Sequence, residues 1–211
     1  MISRMSRTGV VGLAVTAVLV AGSAVQAGLL AANSGGAIPA FTGTQFYNDG
    51  FSSFTVSANV DYAVFAPGAF GVAFPGQDPS GGTEYVYAYQ IANLSTDINK
   101  MTVGLNGGDE PLGSIGSVAG VGLVDPSASL YVGSGTPNSA AWDFAPGQLG
   151  NGLSSAVLFF TSPAPPELDT ATVNAAFADT HNLPSPTPEP ATLTLLALGA
   201  GITCFGKRRR M

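Results

Sequence analysis

Residues 54–64 read Phe-Thr-Val-Ser-Ala-Asn-Val-Asp-Tyr-Ala-Val, and this stretch determines the predicted fold class. Every even position from Phe54 to Val64 is apolar, whereas Thr, Ser, Asn and Asp occupy most of the odd positions. Successive side chains of a β-strand point to opposite faces of the sheet. The alternation therefore predicts a long strand, or a bent pair of strands, with one buried face.

The surrounding sequence continues in the same manner. A second strand is predicted at 84–92, followed by a turn at 93–97 and a hairpin partner at 98–105. Turns rich in glycine, proline, asparagine and aspartate separate further predicted strands at 117–124, 129–132, 140–144 and 154–161. No part of this region has the 3.6-residue period of an amphipathic helix. The sequence thus predicts an all-β fold, a single β-sandwich domain at 28–161 with about seven to nine strands.

The composition excludes several classes of function. The chain has 211 residues, of which 9% are charged, and it contains one cysteine and one histidine. One cysteine cannot form a disulfide within the chain, and sites that need two histidines or a zinc cluster are excluded as well. The balance of 7 basic against 13 acidic residues lacks the cationic footprint of a nucleic-acid-binding protein. No nucleic acid is therefore expected as a partner.

The charges are segregated along the chain. Two of the seven cations lie at positions 4 and 7, and four lie at 207–210. Residues 28–190 contain thirteen carboxylates and a single lysine, Lys100. This pattern predicts that the cationic ends are targeting segments and that the acidic middle is the folded part.

Residues 1–27 have the three parts of a secretory signal peptide. Arg4 and Arg7 form a cationic start, residues 10–21 form an uncharged apolar run, and small residues follow up to Ala27. We expect signal peptidase to cleave after Ala27, which makes Gly28 the first residue of the mature chain. The apolar run is shorter than the roughly 20 residues that span a bilayer, so a retained anchor is the less favoured alternative. The absence of a twin arginine or a nearby cysteine favours the Sec route.

The C-terminal part begins with prolines at 163, 165 and 166 and again from 184, which predict a proline-rich stalk at 162–187. One short extra element is expected within it, at 168–177. The sequence Pro188-Glu189-Pro190 follows, and then an apolar run at 191–205 that is predicted to be a transmembrane helix. As a helix it would cover about 22 Å, so it spans a bilayer only with flanking residues or local thinning.

A basic stub at 206–211 ends the sequence. Its cations are Lys207, Arg208, Arg209 and Arg210. By the positive-inside rule this stub stays in the cytoplasm as a stop-transfer signal, so the acidic domain lies across the membrane. The N-terminal signal predicts the same orientation.

The order of Pro188-Glu189-Pro190, apolar segment and arginine-rich end resembles the PEP-CTERM sorting signal of exopolysaccharide-producing bacteria. The resemblance covers roughly the last 25 residues of the chain. It implies recognition by exosortase, a membrane-embedded protease and transpeptidase, with cleavage near the motif and release to the cell surface or the extracellular matrix. The motif is substrate in that reaction, and the catalytic residues belong to the partner. An uncleaved tail anchor is the alternative.

Three tyrosines form the first candidate ligand site in the body. Tyr85, Tyr87 and Tyr89 alternate along one predicted strand and therefore share a face. They would either stack on sugar rings, as aromatics do in carbohydrate-binding sandwiches, or pack across strands in the core, which we favour.

Acidic loops form the second candidate site. Asn106, Asp109 and Glu110 offer hard oxygen ligands beside glycines, as do Asn48 and Asp49 before a glycine. Such ligands suit Ca²⁺, although the spacing of an EF-hand is absent and clusters of this kind usually solvate a turn.

Two further residues are weighed for catalysis. Asp143, beside Trp142, is either one half of a glycosidase carboxylate pair or a structural strand residue, and the second is favoured. His181 lies in the predicted stalk and is expected to be a solvated linker residue without a base or metal partner.

The sequence thus favours an exported bacterial surface or matrix protein of non-catalytic type, with no cofactor. The expected partners are signal peptidase, exosortase, membrane lipid before processing, and exopolysaccharide. Two alternatives remain: a displayed carbohydrate- or calcium-binding module, and a secreted glycoside hydrolase with dispersed carboxylates.

Overall fold

The computed structural model describes residues 28–50, 56–95, 97–105, 112–134 and 137–187. The predicted signal peptide at 1–27 lies outside these ranges, as do the motif, apolar run and basic stub at 188–211. The fold below is that of the described part.

Ten strands and two short helices make up most of this part. The helices are α1 (Leu29–Asn33) and α2 (Ala69–Ala73), and single 3-10 turns lie at Ser34–Gly36 and Pro39–Phe41. The strands are β1 (Thr42–Asn48), β2 (Ser57–Phe65), β3 (Tyr85–Asn93), β4 (Lys100–Gly104), β5 (Ile115–Val118), β6 (Ala128–Val132), β7 (Ser139–Asp143), β8 (Val157–Ser162), β9 (Pro166–Asn174) and β10 (Ala178–Pro186).

The strands form two five-stranded antiparallel sheets. The first sheet has the order β1-β2-β3-β8-β5 and the second has the order β10-β9-β4-β7-β6. The predicted all-β sandwich is confirmed, with ten strands in the described residues instead of the seven to nine expected.

The main core lies between the two sheets. The alternating stretch at 54–64 contributes Val56, Ala58, Val60 and Val64 to this core, and all four are at most 1% exposed. Aromatic rings fill the centre, where Trp142 of β7 packs near the β8 ring of Phe160. The burial of these side chains provides most of the free energy that favours folding.

A second apolar cluster covers the opposite face of the first sheet. Phe65 at the end of β2 contacts Phe70 of α2 edge-on, at 5.2 Å between ring centroids, and Phe70 stacks on Phe74 at 4.7 Å. Leu30 of α1 is fully buried in the same cluster. The prediction of a single buried face for β2 is therefore wrong near its end, because the two helices cover the outer side of that sheet.

The predicted hairpin between 84–92 and 98–105 is wrong. β3 pairs with β2 and β8, whereas β4 pairs with β7 and β9 in the other sheet. The chain crosses from the first sheet to the second between β3 and β4. Leu149 stabilises this connection, because its carbonyl oxygen accepts the side-chain amide of Asn93 at 2.8 Å and the N–H of Ile98 at 3.1 Å.

The predicted stalk at 162–187 is also wrong. β9 and β10 pair with each other over their full lengths, and β9 pairs with β4 inside the second sheet. Pro166 is the first residue of β9, and Pro184 and Pro186 lie on β10, an edge strand. Proline is tolerated at these two kinds of position because no ladder hydrogen bond is lost. The sandwich therefore continues to Pro186, beyond the predicted boundary at 161.

Candidate functional site

The tyrosines proposed as a sugar-binding surface lie mainly in the core. Tyr87 and Tyr89 are at most 1% exposed, and Tyr85 is half-buried. Tyr87 stacks on Phe160 at 4.9 Å with nearly parallel rings, and its hydroxyl donates to the carbonyl oxygen of Ala164 at 2.7 Å. Packing between the sheets, the alternative favoured from the sequence, thus occupies the rings of Tyr87 and Tyr89 and leaves neither exposed for stacking on a sugar.

Tyr89 links the first sheet to the last strand of the second. Its hydroxyl donates to the carbonyl oxygen of Pro184 in β10. Burial raises the pKa of Tyr89 well above its ordinary value, and the neighbouring Tyr87 and Tyr47 hydroxyls add to the rise. The neutral phenol is therefore the form that the fold holds.

The calcium candidates Asn106, Asp109 and Glu110 lie outside the described residues, so that site stays a prediction. The other acidic loop serves the backbone. Asn48 Oδ1 accepts the N–H of Gly50 at 3.0 Å, and Asp49 Oδ2 accepts the N–H of Val56 at 3.2 Å. Within the ranges described above, no group of three or more His, Cys, Asp or Glu side chains is placed to hold a metal ion.

Asp143 forms an ion pair across the second sheet. Its Oδ1 lies 3.0 Å from Nζ of Lys100, and the two residues face each other in the register of β4 and β7. Both side chains are about one third exposed, at 36% and 37%. The carboxylate weighed for glycoside hydrolysis thus neutralises the lone lysine of residues 28–190.

The expectation of a linker histidine without a partner is wrong for His181. Nε2 of His181 lies 3.0 Å from Oδ2 of Asp179, and the same oxygen accepts the N–H of Asn48 at 2.7 Å. The imidazole also contacts the ring of Tyr47 edge-on at 4.8 Å. Strand β10 places residues 179 and 181 on one face, which sequence reasoning missed because the segment resembles a stalk.

This group joins two edge strands, β1 of the first sheet and β10 of the second. Tyr47 is buried, and its hydroxyl donates to the carbonyl oxygen of Ala171 in β9 at 3.4 Å. Burial raises the pKa of Tyr47 far above its ordinary value, and the charge of Asp179 raises it further. The arrangement closes one side of the sandwich with polar contacts.

The end of β10 is held in the sandwich up to the last described residue. Leu183 and Ser185 are fully buried, and the Ser185 hydroxyl donates to the carbonyl oxygen of Gly104 at 2.6 Å. Thr187 donates its N–H at 2.8 Å and its hydroxyl at 3.0 Å to the carbonyl oxygen of Pro165. The folded domain is thus bonded to the residue immediately before Pro188.

No helix within the described residues is long and apolar enough to cross a membrane. The predicted transmembrane helix at 191–205 and the stop-transfer cations at 207–210 lie outside those residues. Both stay predictions, as does cleavage after Ala27.

Comparison with known proteins gives one match. Residues 186–210 match the family model of the PEP-CTERM protein-sorting motif. Comparisons with curated proteins and with solved structures give no significant match. The match includes Pro188, Glu189 and Pro190 and begins at Pro186, the last residue of β10. The chain therefore carries a PEP-CTERM protein-sorting motif at residues 186–210, which begins at the last residue of β10.

Proposed function

We propose that this chain is an exported, non-catalytic surface or matrix protein, whose β-sandwich is displayed after exosortase cleaves near Pro188-Glu189-Pro190. The observation that carries the proposal is the PEP-CTERM motif at residues 186–210. That motif implies export, sorting to the surface or the extracellular space, and exosortase as the processing partner. The predicted signal peptide supports the Sec route, and the positive-inside pattern of the sequence supports a cytoplasmic C-terminus.

The contacts of the candidate side chains support a non-catalytic role. Tyr87 and Tyr89 fill the core, Asp143 is paired with Lys100, and Asp179 with His181 joins two edge strands. These side chains thus have a use in holding the fold, whereas Asn106, Asp109 and Glu110 lie outside the described residues. Exopolysaccharide remains the proposed neighbour of the released domain.

The junction between domain and motif also supports this function. Thr187 is bonded to Pro165, so the described fold reaches the residue immediately before Pro188. Cleavage near the motif would release a sandwich whose ten described strands are all retained. Pro188 and Pro190 have no backbone N–H to donate to a helix or strand partner, which favours recognition of this segment by a protease.

The sorting function is tested by expression in a host that has an exosortase. We expect wild-type protein in the released fraction, with an intact mass that reports cleavage after Ala27 and near the motif. Glu189→Ala, or deletion of 207–210, should leave full-length protein in the membrane fraction.

Glu167→Ala is the matched control, because it removes the same charge from β9 outside the motif. It should be processed as wild type is. Processing and release of the Glu189→Ala variant at wild-type levels would contradict the proposed sorting. Turnover of glycosides by the released protein would contradict the non-catalytic assignment.

A further inference from the structure

The first residue of the predicted mature chain lies in a polar notch of the first sheet. Gly28 directly precedes α1 and lies beside Asp61 of β2 and Gln90 of β3. A Cβ atom added to Gly28 would lie 2.5 Å from Gln90 Oε1 and 2.8 Å from Asp61 Oδ2. The approach is so close that it favours a residue without a side chain.

Gln90 keeps one wall of this notch in place. Its side chain is 1% exposed, Oε1 accepts the N–H of Leu30 at 2.9 Å, and Nε2 donates to the carbonyl oxygen of Ser155 at 2.8 Å. Both ends of the amide thus have partners, so Gln90 cannot turn away without breaking a buried hydrogen bond. Leu30, fully buried, anchors the chain two residues after Gly28.

Asp61 supplies a negative charge to the same notch. Its Oδ1 accepts the hydroxyl of Thr44 at 2.6 Å, and its Oδ2 is the oxygen that faces Gly28. The nitrogen and Cβ of one residue are about 2.5 Å apart, so the backbone nitrogen of Gly28 lies at most about 5.3 Å from Oδ2 of Asp61. Opposite charges at this separation interact measurably.

Cations are scarce in this part of the chain. Residues 28–190 contain one lysine and no arginine, and that lysine, Lys100, lies 3.0 Å from Asp143.

Hydrolysis of the Ala27–Gly28 peptide bond consumes one water and leaves a carboxylate on Ala27 and an amine on Gly28. An α-amine has an ordinary pKa of about 7.7–8.0, so most of it is protonated at neutral pH.

We propose that the notch formed by Asp61 and Gln90 binds the α-ammonium group of Gly28, which forms only when the signal peptide is removed. The proposal rests on the export that the proposed function includes. Before cleavage the nitrogen of Gly28 is a neutral amide, and after cleavage it becomes a countercharge for Asp61. Removal of the signal peptide therefore fastens the start of the mature chain to β2.

The test uses the protein released from cells. Its N-terminus is sequenced, and the rate at which the α-amine is acylated at pH 7 is compared between wild type and Asp61→Asn. We expect Gly28 as the first residue. Because only the neutral amine reacts and Asp61 favours the charged form, acylation should be about two- to threefold faster in Asp61→Asn.

Asp125→Asn is the matched control, since Asp125 also accepts a hydroxyl, from Ser117 at 3.2 Å. It should leave the acylation rate unchanged. If Asp61→Asn is not recovered as folded protein, salt tests the pair in wild type, where 0.5 M NaCl should screen it and speed acylation.

The failures of this proposal and of the proposed function are distinguishable. A released protein that starts at a residue other than Gly28 overturns the proposed occupant of the notch but leaves sorting through the motif intact. A Gly28 start with equal acylation rates in wild type and Asp61→Asn, or with no effect of salt, overturns the ion pair alone.

Discussion

The outer faces of the two sheets differ in what covers them. On the first sheet, α1 and α2 place Leu30, Phe70 and Phe74 over Phe65, so that β3 and β8 are buried on both faces. On the second sheet, Thr170, Thr180 and Asn182 lie on the outer face of β9 and β10 and are exposed. The first sheet is therefore covered by apolar side chains on its outer face, whereas the outer face of the second sheet is open, with polar residues on β9 and β10 and with Leu130, Val132 and Leu168 also exposed. The second sheet leads into the sorting motif.

Removing an aromatic ring from the covered outer face of the first sheet should lower the stability of the domain most. Phe65→Ala deletes a fully buried side chain and leaves a cavity between β2 and α2. We expect the free energy of unfolding to fall by about 3–5 kcal/mol, as measured by urea denaturation. Thr172→Ala, on the outer face of the second sheet, is the comparison and should cost about 0.5 kcal/mol. Equal losses in the two variants would show that the covered face has no special weight.

The strands that can be predicted from the sequence are those in which apolar and polar residues alternate within the strand itself. Val56, Ala58 and Val60 alternate with polar residues, so β2 is recognisable without its neighbours. β9 is expected only as one short element of unspecified type at 168–177, and β10 is missed, because prolines normally interrupt strands. Pro184 is tolerated only because β10 lies at the edge of its sheet, and that placement depends on the whole fold.

The difference between local pattern and contacts distant in sequence also explains which predictions about the candidate sites were correct. The alternation of Tyr85, Tyr87 and Tyr89 predicts a shared face, but β3 is a central strand and both its faces are covered. The hairpin failed for a related reason, since the choice of partner for β4 is made by contacts distant in sequence. The PEP-CTERM motif is one contiguous segment of sequence, so it was predictable from the residues alone.

Hydroxyl groups that join the two sheets should make the domain sensitive to alkaline pH. Tyr47 and Tyr89 donate from the first sheet to carbonyl oxygens of the second. Tyr131 of β6, in the second sheet, donates to the carbonyl oxygen of Gly113, just before β5 of the first sheet. Burial raises the pKa of all three above the ordinary value of 10.0. The unfolded chain therefore loses these protons at a lower pH than the folded chain does.

It follows that the stability contributed by these three hydroxyls is fully present below about pH 10 and is lost as the pH rises above that value. We expect each of the three tyrosines to reduce the free energy of unfolding by about 1 kcal/mol at pH 11, measured by urea denaturation between pH 8 and 11. Tyr47→Phe should have a shallower decline, because one titrating group is gone. A denaturation midpoint that stays constant over this range would rule out the role given to these hydroxyls.

The smallest effect is expected on the outer face of the second sheet, at the ion pair of Lys100 and Asp143. Exposed pairs gain little because water screens the charges and two side chains lose freedom. Lys100→Met keeps most of the side-chain length of Lys100 and should lower the free energy of unfolding by less than about 1 kcal/mol at low salt. The difference from wild type should vanish in 0.5 M NaCl, where the Debye length is shorter than at physiological salt. A loss above about 3 kcal/mol would mean that the pair behaves as a buried one. The outer face of the second sheet would then be as sensitive to substitution as the covered face of the first, which contradicts the contrast between them.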